Sequence, residues 1–339
     1  MSELKIITYN LWHGLSGEGF VAFGELEPAG RSLRRFQWQL QRLQELDADI
    51  IFLQEVNQLA HRADKLAQFL QMDQIHQLDQ AGLKFLGWGL PYNLNTGLVI
   101  LAKKKLKLKK LEGFKLSGPR LSLNQDLMSF QWKELRYALL GEITWNQKKY
   151  LLANTHLHHG LEMRPVLEEL IHHELRRGQL RGSDAQEFLD QILVGQRRRE
   201  MEVSVLLKHL NGIRGSIVLA GDFNEEPDSS LLQSFYDRGF VSGHDMDVMT
   251  WSPDENRENH RYSKNLQIPI KLKTLGQGAR RTLTKIYKEW DARPRKIDYI
   301  LAQGLVFKTN TQRIMDVPMD GLLGSDHFGL YARVTAPFE

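Results

Sequence analysis

The stretch Ile217-Val218-Leu219-Ala220-Gly221-Asp222-Phe223-Asn224-Glu225-Glu226-Pro227 joins a strand-sized apolar run directly to a carboxylate and an amide. Taken alone, Asp222 and Asn224 pass for caps of a helix beginning near Pro227, since both residue types satisfy first-turn N–H groups and proline suits the first helical position. The same arrangement recurs along the chain, and the recurrence decides the fold. Asn10 follows Leu4–Tyr9, Glu55 follows Ile50–Leu53, and His156 closes Leu151–Leu157. Asp298 stands within Arg295–Ile300, and Asp326 and His327 lie within Gly324–Gly329. Strand ends of an α/β sheet converge on one rim, so polar residues at the ends of distant strands are brought together. Each also has a plainer reading: Asn10 and Asp326 as turn residues, Asp298 as a surface ion-pair partner, His156 as a hydrogen-bonded histidine at a sheet end.

Outward from these points, apolar runs predict strands at Leu4–Thr8, Asp49–Leu53, Gly97–Ala102, Tyr150–Asn154, Ile217–Ala220, Ile297–Leu301 and Leu330–Val334. Leu33, Phe36, Leu40, Leu43 and Leu46 recur at three- and four-residue spacing and predict a helix between the first two strands. Helical spacing returns between about Met163 and Leu210, enough for two or three helices with arginine-rich faces. From Lys103 to Lys110, Leu106 and Leu108 alternate with lysines, which predicts a half-buried edge strand. Strands scattered from residue 4 to residue 334, with helices between them and no Pro/Gly/Ser linker, argue for one domain over residues 1–339. A helical insertion near 160–210 and a basic insertion near 244–293 would extend it.

Hydrophobic residues make up 42% of the 339 and charged residues 25%, the balance of a folded globular chain. The longest apolar runs are strand-sized, which excludes a membrane-spanning helix. The start has neither a basic region nor an apolar core of an export signal, so a cytoplasmic location is expected. Without cysteine, any metal must rest on Asp, Glu, Asn or His, and oxygen ligands favour a hard cation. His158, His159, His172 and His173 suggest a zinc cluster only weakly, because the first pair is adjacent and the second lies on a charged helix. The net charge of +4 is unevenly spread: between Lys271 and Lys296 nine Lys/Arg face Glu289 and Asp291, a local +7 that leaves −3 elsewhere. Such a segment is either a solvated loop or a contact for a polyanion.

In order and spacing, these residues resemble the motifs of the endonuclease/exonuclease/phosphatase superfamily, the deoxyribonuclease I-like metal-dependent hydrolases, from Asn10 to His327. The resemblance implies an α/β fold: a four-layered α/β sandwich, two packed mixed β-sheets flanked by helices, with the site in a cleft at one end. It further implies Mg²⁺, with Mn²⁺ as a possible substitute, held by Glu55 with Asn10 and Asp326. Asp222 would orient or deprotonate water, Asn224 and His156 would donate to phosphoryl oxygens, and His327 would pair with Asp298 as a second acid/base or phosphate-binding group. Such a set suits an anionic phosphoester, which needs a cation on its oxygens, an activated water and donors for developing charge. Asn10-Leu11-Trp12 and His156 depart from the apurinic endonuclease pattern and look more like the deoxyribonuclease, sphingomyelinase and broad bacterial hydrolase branches. Arg136, one hairpin before His156, reads as a phosphate contact or, more plainly, as a solvated side chain.

For substrate, the basic segment leading into Asp298 points first to nucleic acid, with Trp251, Tyr262, Tyr287 and Trp290 available either for stacking on bases or for a core. The alternatives are a sphingomyelinase-like phospholipase C or a phosphatase acting on a lipid or small phosphoester, and a catalytically silent binding module of the same fold. The lipid alternative calls for an exposed apolar or aromatic hairpin.

Overall fold

The computed structural model describes residues 3–15, 27–86, 88–90, 94–119, 123–124, 128–130, 134–213, 215–243, 246–259 and 276–337. Two large mixed sheets form its centre. The first runs β15 (Val306–Phe307), β17 (Gly329–Thr335), β1 (Leu4–Asn10), β2 (Ile50–Asn57), β6 (Thr96–Lys103), β3 (Met72–Gln80), with β16 (Gln312–Ile314) also on β17. The second runs β14 (Asp298–Gln303), β13 (Ser216–Asp222), β12 (Lys148–His156), β11 (Arg136–Trp145), β7 (Lys109–Lys110), with β8 (Phe114–Ser117) also on β11. A small third sheet runs β5 (Trp88–Leu90), β4 (Leu83–Phe85), β10 (Met128–Phe130), β9 (Leu123–Asn124). All seven strands expected from the apolar runs are present.

Alternation of side chains along each strand sorts the core into layers. Ile6, Phe52, Ile100, Leu152, Val218, Ala220 and Ile300 meet between the two sheets. Their neighbours Ile7, Ile51, Leu53, Val99 and Leu101 turn to the other side, where helices α1 (Ala29–Leu46) and α2 (Leu59–Leu70) cover them with Phe36, Trp38, Leu43, Ala63 and Leu66. On the far side, Ala153, Ile217, Leu219 and Leu301 are covered by Val203, Leu206 and Leu210 of α4 (Gly182–Leu210) and by Leu232 and Phe235 of α5 (Ser230–Tyr236). This is the expected four-layered sandwich. The expected stripe of α1 holds at Phe36, Leu40, Leu43 and Leu46, whereas Leu33 is 57% exposed and Arg35, Trp38 and Gln39 are buried as well.

Two local expectations are corrected. Lys103–Lys110 is not one strand: Lys103 ends β6, a 3₁₀ turn at Lys104–Leu106 drops Leu106 into the inter-sheet core, and Lys109–Lys110 then pair at the edge of the second sheet. The helix near Pro227 begins at Ser230 and is capped by Ser229, whose hydroxyl accepts from the Leu232 N–H at 3.2 Å. Asp222 and Asn224 are therefore left for other work.

The two stretches set apart in the sequence pack on each other. Helix α3 (Pro165–Arg176), the first half of α4, and α6 (Gln277–Asp291) share a fourth apolar cluster of Leu167, Ile171, Phe188, Leu283, Ile286 and Trp290. Trp290 is thus a core residue and Tyr287 packs beside it. Tyr262, Lys271, Lys273 and His244 lie outside the described residues.

Candidate active site

Backbone register alone sets three of the expected residues in one row. His156 on β12 is the direct partner of Asp222 on β13, and Asp222 is the direct partner of Asp298 on β14. Because β14 is antiparallel to β13, Asp298 reaches this rim at the start of its strand. Asp326 and His327, just before β17, arrive in the same way, so Asn10, Glu55, His156, Asp222 and Asn224 reach the rim at or just past the C-terminal ends of their strands and the other three at N-terminal ends. Gly221 makes the row possible: at φ 147° a Cβ there would stand 1.9 Å from the Thr155 carbonyl oxygen.

The other sheet contributes Asn10 and Glu55. Asn10 Nδ2 donates to Asp222 at 3.0 Å and faces Glu55 Oε1 at 3.3 Å, bridging the two sheets. Beneath it, Gln54 Nε2 donates to Asn154 Oδ1 at 2.8 Å, while Asn154 Nδ2 donates to the Leu53 and Val99 carbonyls. These buried amides lock the sheets together under the site. The register of β2 on β6 slips between Leu53 and Val56, and Glu55 has φ 52°; this bulge turns its side chain toward the rim. Trp12 at φ 55° folds the next loop back, so that the His13 N–H donates to Glu55 Oε2 at 3.0 Å and His13 Nε2 lies 3.6 Å away.

His156 is held by Arg136, which the sequence left open between a phosphate contact and a solvated side chain. Arg136 is buried; its Nη1 lies 3.0 Å from His156 Nδ1, and its guanidinium pairs with Asp79 at 3.2 Å and with Glu134. A guanidinium has only donors, so Nδ1 must accept, and the imidazole proton sits on Nε2, 3.5 Å from Asp222 Oδ2 and 3.9 Å from Glu55 Oε1. Burial and the adjacent Arg136 charge hold His156 well below the ordinary histidine range. Its ring is neutral.

His327 is the opposite case. Its Nδ1 lies 2.9 Å from Asp298 Oδ2 and its Nε2 3.8 Å from Asp222 Oδ2, with the Trp251 ring edge-on at 5.0 Å. Burial opposes its charge, but Asp298, Asp222 and Asp326 outweigh burial and raise it to about 10. Asp222, raised by burial and by Asp298, reaches about 7, and Asp326, raised mainly by burial, about 6. Glu55 is pushed up by burial, yet His13, His156 and His327 together hold it below the ordinary carboxylate range. It is the ionised carboxylate of the rim, and its side chain is the least buried of the site's carboxylates.

An oxygen donor set with one ionised carboxylate suits a hard cation. Asn10 Oδ1 accepts from the Trp12 N–H at 3.0 Å. Asp326 accepts from Ser325 Oγ at 3.3 Å and, among the described residues, is not bonded to Asn10 or Glu55. Asp222, Asp298 and His327 also crowd together, but the charged imidazole between the two carboxylates, hydrogen-bonded to Asp298 and 3.8 Å from Asp222, makes them an ion-paired cluster. Asn224 at φ 51° donates its backbone N–H to Asp222 Oδ1 at 3.0 Å and its side-chain amide to the Leu157 carbonyl at 3.1 Å, leaving one amide hydrogen for a ligand. The weakly suggested zinc cluster gains a partial counterpart in Glu134, His158 and His159, without His172 and His173. Arg136 and Arg198 already neutralise that carboxylate, a poor setting for a second cation.

One half-buried carboxyl, paired with Arg164, carries a pH signature. Burial and the neighbouring Glu225 charge raise Glu162 from 4.5 to about 7, against the pull of Arg164. Folding therefore favours its protonated form, and its cost grows as pH rises from 4.5 to 7 and then levels off. In thermal melts, Glu162→Gln should gain stability over the parent chain across that window; equal slopes for the two proteins would refute this.

A four-layered sandwich with carboxylates, amides and two imidazoles on one rim defines a phosphoester hydrolase. The chain belongs to the endonuclease/exonuclease/phosphatase family, whose sequence pattern it matches over residues 7–327. Similar folds include D. rerio TDP2 complexed with single-strand DNA product (15% identity, TM-score 0.56, covering 99% of this chain and 100% of that one). The human nocturnin catalytic domain with bound sulfate (14%, 0.55, 99% and 94%) and a functionally unknown conserved protein of Enterococcus faecalis V583 (17%, 0.55, 98% and 100%) are also similar. No curated protein resembles the chain closely enough to count as a relative. The silent-module alternative falls with this assignment.

Proposed function

We propose that the protein is a Mg²⁺-dependent phosphodiesterase that directs water onto phosphorus, with nucleic acid as its first substrate class. The observation carrying this reading is the single row His156–Asp222–Asp298 tied across the sheets by Asn10. Glu55, with Asn10 and Asp326 near it, would hold the ion, which would supply charge neutralisation at the phosphoryl oxygens. Asp222, oriented by Asn10 and the Asn224 N–H, takes the proton from water; a value near 7 suits that task at neutral pH. His156 through Nε2–H, the remaining Asn224 amide hydrogen, and charged His327 held by Asp298 donate to the phosphoryl oxygens and the leaving group. Assays on single- and double-stranded nucleic acids, sphingomyelin, inositol phosphates and a bis-aryl phosphate, each with Mg²⁺ and with chelator, test the reading. Full turnover in chelator after metal stripping would end it.

Nucleic acid is supported by the exposed basic face of α6, where Arg280, Arg281, Lys285 and Lys288 precede Arg295 and Asp298, and by the DNA bound to D. rerio TDP2. Not all of the +7 segment contributes, since Arg293 is spent on Glu226 and Trp290, and Lys296 is buried. Neutralising Arg280, Arg281 and Lys285 should flatten the salt dependence of oligonucleotide binding by up to about one unit per lost contact. Unchanged slopes would remove α6 from the interface. A second reading, a lipid-borne phosphoester, is favoured by the apolar face of the small sheet.

A further inference from the structure

In the loop after β1, four successive carbonyls are each held by a donor from elsewhere in the fold. Leu11 accepts from Arg35 Nη1 at 2.6 Å and Gln39 Nε2 at 3.2 Å, and Trp12 accepts from Arg35 Nη2 at 3.1 Å. His13 accepts from Asn57 Nδ2 at 3.0 Å, and Gly14 from the Glu27 N–H at 2.8 Å. Asn57 is itself fixed, its Oδ1 accepting from the Gln58 and Asn95 N–H groups at 2.9 and 3.0 Å. Trp12 at φ 55° and Gly14 at φ 75° bend the chain on either side of His13. Gly14 has no substitute, since a Cβ there would stand 2.8 Å from Glu27 Oε1 and 3.0 Å from Arg35 Nη2. A bulky residue held in the left-handed region by this many contacts is strain that the surroundings over-determine, and such strain gathers at working sites.

What the loop presents is the His13 ring. Its Nδ1 accepts from the Leu15 N–H at 3.0 Å, so Nδ1 carries the lone pair and the ring proton sits on Nε2. Nε2 lies 3.6 Å from Glu55 Oε2, the oxygen that also accepts the His13 backbone N–H at 3.0 Å. At the other oxygen of the carboxylate, Oε1, Asn10 Nδ2 lies 3.3 Å away and His156 Nε2 3.9 Å. Glu55 thus stands between two imidazoles whose protonated nitrogens both face it. The side chains of His13 and Glu55 are 18% and 19% exposed, against 7% or less for His156, His327, Asp222 and Asp298, so the two share the least enclosed part of the site.

An imidazole beside a carboxylate ligand can act in two ways. With the lone pair on Nε2 it would be a ligand itself, and a nitrogen donor would draw zinc and the later transition metals to the site. With a proton on Nε2 it cannot bind a cation and serves instead as a donor that fixes the carboxylate. The Leu15 N–H selects the second. We propose that His13 is a positioning residue for Glu55: its backbone and ring donors fix the carboxylate at Oε2, and the direction of the ring keeps its own nitrogen out of the cation's shell. The proposal rests on the reading of Glu55 as the holder of the ion and extends it to a residue outside the oxygen donor set.

Isothermal titration calorimetry with Mg²⁺ and nitrogen-15 NMR of the histidine rings test it without turnover. In the parent chain His13 should show the Nε2–H form, and that proton should stay in place when Mg²⁺ or Zn²⁺ is added. His13→Ala should weaken Mg²⁺ binding by about 10-fold or more, and His13→Gln, whose amide offers both an acceptor and a donor, should recover part of that loss. The loop carbonyls are held by groups other than the ring, so circular dichroism of both variants should match the parent. A ring proton on Nδ1 in the parent, loss of the Nε2 proton on adding either cation, or a folded His13→Ala with parental Mg²⁺ affinity overturns the proposal. Glu55→Gln in the same calorimetry separates this from the underlying reading. Parental affinity in Glu55→Gln strikes the ion site itself and this proposal with it, whereas a loss in Glu55→Gln beside parental affinity in His13→Ala strikes only the role of His13.

Discussion

Glu55→Gln is expected to lower kcat by about 10³-fold, equivalent to about 4 kcal/mol of barrier, while leaving the fold intact. The substitution keeps the shape of the side chain and removes the ionised, least buried carboxylate of the site. It also disturbs local pairing: Glu55 accepts from the His13 N–H and faces Asn10 Nδ2 with its two oxygens, whereas a glutamine offers one acceptor and turns an N–H against the remaining donor. Circular dichroism and melting temperature should stay close to those of the parent, and the Mg²⁺ dependence of any residual activity should shift to higher concentration. Parent-like turnover at saturating Mg²⁺ would show that the charge at Glu55 is not what the reaction uses.

Arg136→Met is the second large effect. It removes the guanidinium buried between Asp79, Glu134 and His156, and breaking such a network from one side costs about 3–5 kcal/mol of stability. Where the variant folds, His156 Nδ1 has lost its donor and the imidazole is free to carry its proton there, away from Asp222 and Glu55. Turnover should fall by about 10²-fold with little change in KM, because a donor aimed at developing charge serves the transition state more than the bound substrate. Nitrogen-15 NMR of the ring distinguishes a positioning role from a merely structural one: the parent should show the Nε2–H form of His156, and the variant a mixture. Arg136→Lys, which keeps one donor in place, should recover part of both signals. A folded Arg136→Met with parental kcat and an unchanged tautomer would remove Arg136 from the reaction.

The strands and most of the site were legible because both rest on local signals. An apolar run ending in a lone carboxylate or amide is visible in the chain, as at Leu219–Asn224, and six of them in order are hard to produce by chance. Arg136 was not legible. Its register on β8 slips at Tyr137, and such irregularities leave no trace in hydrophobic periodicity. A charged residue two positions from buried Ala138 was the one available hint that it needed a partner. His13 was passed over because its role comes from the left-handed turn at Trp12, and Gln54 and Asn154 because buried amides within strands look like ordinary interruptions of an apolar run.

What the amino-acid sequence determined by itself was the order of strands and helices and the residue types available on the rim. These follow from the two-residue period of a strand and the 3.6-residue period of a helix, which act over a few neighbours. Only the tertiary structure decided the protonation of the two histidines, because Arg136 and Asp298 set it from 20 and 29 residues away. It likewise decided that helices α3, α4 and α6 share one apolar cluster and that the small sheet turns its apolar face outward. Pairing across distant strands and the exclusion of water are properties of the assembled chain, and they fix which face is buried and which form of each imidazole is stable.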